Sequence, residues 1–236
     1  MYIYTMHHEH HLKSSDTIRD IVIGMSDGLT VPFALAAGLS GASAHSGIVV
    51  TAGIAEIVAG SIAMGLGGFL AGKTEADHYV SELKREYDEV ERVPEQEKLE
   101  VKEVFAGFGL SEQLQHDVAE EMAKDKDKWV DFMMRYELGL EKPEANRASQ
   151  SAITIGLSYI VGGIIPLSPY FFIDDSQKAL IYSCVITMVC LFVFGYFKSK
   201  VTGQPPFSGA LKVLIIGALA AAAAFFMAKL INGGKM

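Results

Sequence analysis

The sequence predicts an all-α membrane protein: five transmembrane helices, with a hydrophilic three-helix insert between the second and the third. Two observations predict it. Half of the 236 residues are hydrophobic, and they are gathered toward the two ends of the chain instead of being spread through it. The stretch between, residues 73–147, carries 21 of the 28 acidic and 12 of the 20 basic residues, a net charge of −9 that leaves the remainder close to neutral. The organisation follows: a tail over 1–17, two spans within 18–72, the acidic insert over 73–146, and three spans within 147–236.

The tail, "MYIYTMHHEHHLKSSD", is polar and has no apolar core of its own, so it does not read as a cleavable signal. Its histidines read most simply as a disordered tail, with a partial purification tag or a weak metal-binding arm as alternatives. A helix needs about 20 mostly apolar residues to cross a bilayer. Runs at about 18–39, 47–71, 148–168, 178–197 and 209–231 meet that length. Five crossings put the termini on opposite sides. Lys13, Arg19, the basic residues of the insert, Lys198, Lys200 and Lys212 fall on one side, against Lys178, Lys229 and Lys235 on the other. Basic residues mark the cytoplasmic side, so the N-terminus and insert are cytoplasmic and the C-terminus lies across the membrane. Cys184 and Cys190, six apart, fall on opposite sides of one helix, which argues against a disulfide and against a cysteine zinc site.

Small residues recur every fourth position along the second span, at Ala55, Ala59, Ala63, Gly67 and Ala71, and at Gly24 and Gly28 on the first. Such ridges let backbones approach closely in lipid. The plain reading is packing between neighbouring spans of one chain; the sharper one is self-association.

The first two spans each carry one acid. Asp27, within "SDGLTVP", has turn-like neighbours and could cap a helix end. Turning there would leave apolar pieces too short to cross, so one helix, bent at Pro32, fits better. Asp27 then lies about 14 Å inside one end. Placing a carboxylate there costs at least about 2.5–3.5 kcal/mol, which points to a polar cavity and a function. Glu56 repeats the pattern on the second span, and Met64, about 80° round and 12 Å along, shares a broad face with it. No transmembrane Lys or Arg is placed to neutralise either acid, so the two read as lining a cation or proton path.

The insert reads as helical segments broken at Pro94, at Phe108-Gly109 with Ser111 as an N-cap, and at Gly139 and Pro143. Glu82, Glu86 and Glu89 share a face of the first; Glu97, Glu100 and Glu103 follow at threes in the second; Met133 and Glu137 stand one turn apart in the third. A solvated stripe neutralised by Lys84, Arg85, Lys98 and Lys102 is the plain alternative. Carboxylates paired with methionine favour divalent transition metals. "DKDKWVDF" is not a calcium loop, since Val130 and Tyr136 stand where glycine and glutamate are needed. "EADH" at 75–78 is half of a di-iron carboxylate motif, which keeps a membrane-anchored iron oxidase open as the alternative function.

The strings "RDIVIGMSDGLTVPFALAAGLSG", "TAGIAEIVAGSIAMGLGGFLAGKTEADHY" and "WVDFMMRYELGLEKP" resemble the vacuolar iron transporter family of plants and fungi, the plant branch most closely, from about Thr17 onward. The resemblance implies a homodimer with the metal path at its two-fold axis and a cytoplasmic metal-binding domain. It implies a transporter, not an enzyme, exporting Fe2+ from cytosol to vacuole in exchange for protons, with no nucleic-acid partner. By position in those strings, Asp27, Glu56 and Met64 are the transport-path residues. Glu86, Glu89, Glu97, Glu100, Met133, Met134 and Glu137 are the metal ligands of the insert, where Mn2+, Co2+ and Zn2+ are further candidates. The physical expectation is competition between metal and protons for the same carboxylates.

Overall fold

The computed structural model describes residues 16–42 and 44–233; the histidine-bearing part of the tail lies outside the described residues. The elements are helices: α1 (Asp16–Gly41), α2 (Ser46–Arg92), α3 (Pro94–Gly107), α4 (Glu112–Met122), α5 (Lys126–Phe132), α6 (Arg147–Leu167), α7 (Ser176–Val201) and α8 (Pro206–Gly233). A π turn, Met133–Glu137, continues α5, and a 3-10 turn, Ser168–Phe171, continues α6. Five of the helices, α1, α2, α6, α7 and α8, are long and apolar enough to cross a membrane, and α3–α5 lie between the second and third of them. The chain divides into two compact units, Leu70–Ala148 and the segments flanking it.

In the flanking unit, α1 runs unbroken through Asp27 and Pro32, which excludes a cap or loop at "SDGLTVP". Pro32 has no N–H and so removes the helical donor to the Gly28 carbonyl. One turn earlier the Thr30 hydroxyl donates to the Ser26 carbonyl at 2.7 Å. Helix α1 packs on α7 and α8, where Phe33, Ala37 and Ala221 are buried with Leu180, Cys184, Met188 and Phe225 against them. A second cluster joins Ala36, Val49, Ile57, Leu167, Tyr170 and Ala179. The outer faces carry large apolar side chains: Ile181, Val185, Val189 and Phe197 on α7, and Ile215, Leu219, Phe226 and Leu230 on α8, are all exposed. A water-soluble surface does not present apolar stripes of this extent; a lipid-facing one does.

The glycines of α1 do what the spacing suggested. A Cβ on Gly24 would lie 2.2 Å from the Ile155 carbonyl oxygen, and one on Gly28 2.3 Å from that of Tyr159, so α1 meets the α6 backbone with no room for a methyl group. Gly28→Ala is therefore expected to push α1 off α6 and to lower stability by about 1–3 kcal/mol, read as a lower melting temperature of the purified protein in detergent. On α2 the packing residues differ from the ridge read in the sequence. Gly53, Ile57, Gly60, Gly65 and Gly68 meet Leu167, Gly163, Tyr159, Ala152 and Ser151 of α6. Ala55, Ala59, Ala63, Gly67 and Ala71 are exposed. The plain reading of that ridge, packing within one chain, is thus corrected: a second small-residue face took that role and left this one open.

The unit Leu70–Ala148 has its own core of Val90, Val101, Ala119, Trp129, Val130, Met133 and Met134. Pro94 starts α3 at a position where its missing N–H is harmless. Gly109, at φ 79°, makes the turn to α4. Ser111 does stand at the N-cap of α4, but its side chain makes no capping bond. The third segment departs from expectation. It breaks between α4 and α5, where the Asp125 carboxylate accepts from the Lys128 N–H at 3.3 Å. It then widens into the π turn, with the Leu138 N–H reaching back to the Met133 carbonyl at 3.1 Å.

Candidate functional site

Helix α1 holds Asp27, and α2 holds Glu56 and Met64; all three are half-buried. Helix α6 adds a residue the sequence reading missed. Tyr159 is 2% exposed and donates its hydroxyl to Glu56 Oε1. Small residues set its place. Its carbonyl occupies the space a Cβ on Gly28 would need, and its hydroxyl lies 2.4 Å from where a Cβ on Gly60 would be. The tyrosine therefore reaches from the α1 segment Asp27–Gly28 to the α2 turn that holds Glu56 and Gly60. A phenol in mid-span must find a partner, and its position between Gly156 and Gly162 was the available signal.

The other oxygen of Glu56, Oε2, is buried and has no hydrogen-bond partner among the described residues. An acceptor left in that condition costs about 1–3 kcal/mol, more when charged. Among the described residues neither Asp27 nor Glu56 has an ion-pair partner. Pro32 adds a Gly28 carbonyl without its helical donor, next to Asp27. The arrangement has acceptors in excess of donors, which suits a cation or a proton.

In the unit Leu70–Ala148, a cavity of about 500 Å³ is lined by Arg85, Glu86, Glu89, Arg92, Val93, Gln96, Glu97, Glu100 and Glu137. Five of the seven predicted insert ligands meet there. Glu86 and Glu89 come from the last turns of α2, Glu97 and Glu100 from α3 just past the Pro94 break, and Glu137 from the π turn. Met133 and Met134 do not line it; both are fully buried in the apolar core. Glu86 and Glu97 are each 2% exposed, and Oε2 of each has no hydrogen-bond partner among the described residues. Desolvation first, and then Glu100, Glu86, Glu89 and Glu137 around it, push the Glu97 carboxyl up to about 7. Desolvation, with Glu100 and Glu86, pushes Glu137 up to about 7, and Arg85 opposes the shift.

Arg85 is the cation paired with these carboxylates, 2.7 Å from Glu82, 3.4 Å from Glu89 and 3.9 Å from Glu86, and Arg92 lines the same cavity. Lys98 is engaged elsewhere, with Glu95 and Glu120, so it does not neutralise the cavity. No three His, Cys, Asp or Glu side chains among the described residues converge into a finished ion cage. The carboxylates line a space many times the roughly 30 Å³ share of one water, which leaves room for hydrated ions. His78, of the half-motif at 75–78, lies 3.8 Å from Glu82, and neither Glu75 nor His78 lines the cavity.

Fold and sites together define an integral membrane protein with five spans, acids among those spans, and a separate carboxylate-lined helical unit. The chain belongs to the VIT family, whose model matches residues 18–229. It is 53% identical over 226 residues to "Vacuolar iron transporter 1" of Tulipa gesneriana, covering 96% of this chain and 92% of that protein. It is 53% identical over 226 residues to "Vacuolar iron transporter 1" of Arabidopsis thaliana, covering 96% and 90%. It is 41% identical over 225 residues to "Protein CCC1" of Saccharomyces cerevisiae, covering 91% and 69%.

Proposed function

We propose that the chain transports ferrous iron, and with it other divalent transition metals, from the cytosol into the vacuole in exchange for protons. The names of its relatives support the metal and the membrane. The observation that carries the mechanism is the buried, unpartnered Oε2 of Glu56 beside a tyrosine that ties Glu56 to the Asp27 segment. A divalent ion bound by Asp27 and Glu56 supplies the missing positive charge. A proton supplies it when the site faces the acidic side, so metal and proton replace each other. Met64 is the soft donor that tilts the site toward ferrous iron over magnesium.

The exposed ridge of Ala55, Ala59, Ala63, Gly67 and Ala71 supports a homodimer, since a second copy can close on it and complete the wall of the path. In this reading Glu86, Glu89, Glu97, Glu100 and Glu137 gather cytosolic ions and raise their local concentration. Met133 and Met134 serve as ligands only after leaving the apolar core. The activity is transport and not catalysis.

Uptake into sealed vesicles with an acidic interior, compared across Fe2+, Mn2+, Co2+ and Zn2+, tests the reading. Gradient-dependent uptake with ferrous iron among the preferred ions is the expected result; oxygen consumption without uptake overturns it. Tyr159→Phe keeps the ring and loses one hydrogen bond worth about 1 kcal/mol. It should slow uptake about fivefold while leaving the melting temperature within a few degrees of the parent, because the packing against Gly28 and Gly60 is retained.

A further inference from the structure

We propose that the turn between α7 and α8 binds the phosphate headgroup of an anionic phospholipid, at a site separate from the metal path. A cavity of about 320 Å³ opens there. Lys198, Gln204, Ser208 and Lys212 supply its polar lining, and Val213 and Ile216 an apolar wall. Residues 176–236 contain no Asp or Glu, and among the described residues neither lysine has an ion-pair partner. Two cations therefore share one cavity with no acid among the described residues paired to either.

The backbone has the same bias. Gly203, at φ 69°, closes α7 by letting the Gln204 N–H reach the Ser199 carbonyl at 2.8 Å. Helix α8 then begins at Pro206 with no acid in its first turn, although a helix start is where negative charge is stabilised. Lys198 and Lys200 stand in the last turn of α7 and complement the carbonyls there. That role does not extend to Lys212, which lies in the second turn of α8, toward its N-terminal end. A phosphate between Lys198 and Lys212 balances both lysines and lies by the start of α8, the helix end that favours negative charge.

The apolar wall distinguishes a lipid from a free anion. Ile216 is 63% exposed and belongs to the lipid-facing side of α8. Inorganic phosphate gains nothing from such a wall, whereas a phosphate carrying acyl chains does. The lysine distribution that orients the chain puts this turn at the cytoplasmic face, where anionic lipids are concentrated and basic pockets between spans collect their headgroups.

The test is the thermal stability of the full-length protein in phosphatidylcholine-containing micelles, titrated with short-chain phosphatidic acid. Short-chain phosphatidylcholine and inorganic phosphate are the comparison ligands. Phosphatidic acid should raise the melting temperature saturably and the other two should not. Lys198→Gln with Lys212→Gln should move the midpoint of that titration up by about tenfold or more, with the melting temperature before lipid unchanged. Lys212→Arg should keep the parent midpoint, as should Lys229→Gln at the far end of α8. An unchanged midpoint in the double variant overturns the site, and so does an equal response to inorganic phosphate, which would make it a free-anion site. If the double variant melts lower without lipid, Lys212→Gln alone carries the comparison on the same criteria.

Discussion

Asp27→Ala should reduce ferrous iron uptake into acid-loaded vesicles to the level of vesicles without protein. The size of the effect follows from the medium. In the spans there is little water to take over a lost ligand, so removing one of two carboxylates leaves a divalent ion with half its balancing charge in a low dielectric. Glu56→Gln should do the same. It keeps the shape and the bond from Tyr159, so its failure separates charge from packing. Stability should move the other way. Neither acid has an ion-pair partner among the described residues, so neutralising one removes a desolvation cost, and the melting temperature of either variant should stay level or rise. A variant that loses uptake because it unfolds would instead melt lower.

The second large effect concerns the cavity lined by Glu86, Glu89, Glu97, Glu100 and Glu137. Glu97 and Glu137 titrate at about 7 in the folded protein, against an ordinary value of 4.5. The folded state therefore holds protons that the unfolded chain has released. Between about pH 4.5 and 7 the slope of stability with pH is negative: the contribution is full below 4.5 and is lost as pH rises through 7. The metal-free protein should thus melt higher at pH 5 than at pH 8. A divalent ion must displace these same protons, so its affinity should fall steeply as pH drops below 7. Replacing both Glu97 and Glu137 with Gln should flatten the stability profile and weaken Mn2+ or Co2+ binding by at least about a hundredfold. Even outer-shell changes cost ten- to a hundredfold. Calorimetric titration of the full-length protein at two pH values checks both statements.

Much of this was legible in the sequence because the bilayer is a demanding solvent. Five runs of sufficient apolar length became five helices, and the carboxylates at positions 86, 89, 97 and 100 line one cavity from the two acid-bearing segments either side of the break at Pro94, with Glu137 added from the π turn. What was not legible depended on the identity of neighbours. The ridge from Ala55 to Ala71 and the face from Gly53 to Gly68 are both rows of small residues on one helix, and periodicity alone cannot say which meets α6. Met133 and Glu137, one turn apart in sequence, are divided by the π turn, so that one joins the apolar core and the other the cavity. Tyr159 was overlooked because an isolated tyrosine in an apolar span gives no periodic signal; its role lies in the glycines around it, on three different helices.

The most direct measurement is proton movement during metal uptake, read with a pH-sensitive dye trapped in vesicles that contain the full-length protein. Exchange at Asp27 and Glu56 predicts that adding ferrous iron outside makes an acidic interior more alkaline in step with metal accumulation, and that Asp27→Ala abolishes both signals together. Iron accumulating with no change in internal pH, or at the parent rate in Asp27→Ala, would contradict it.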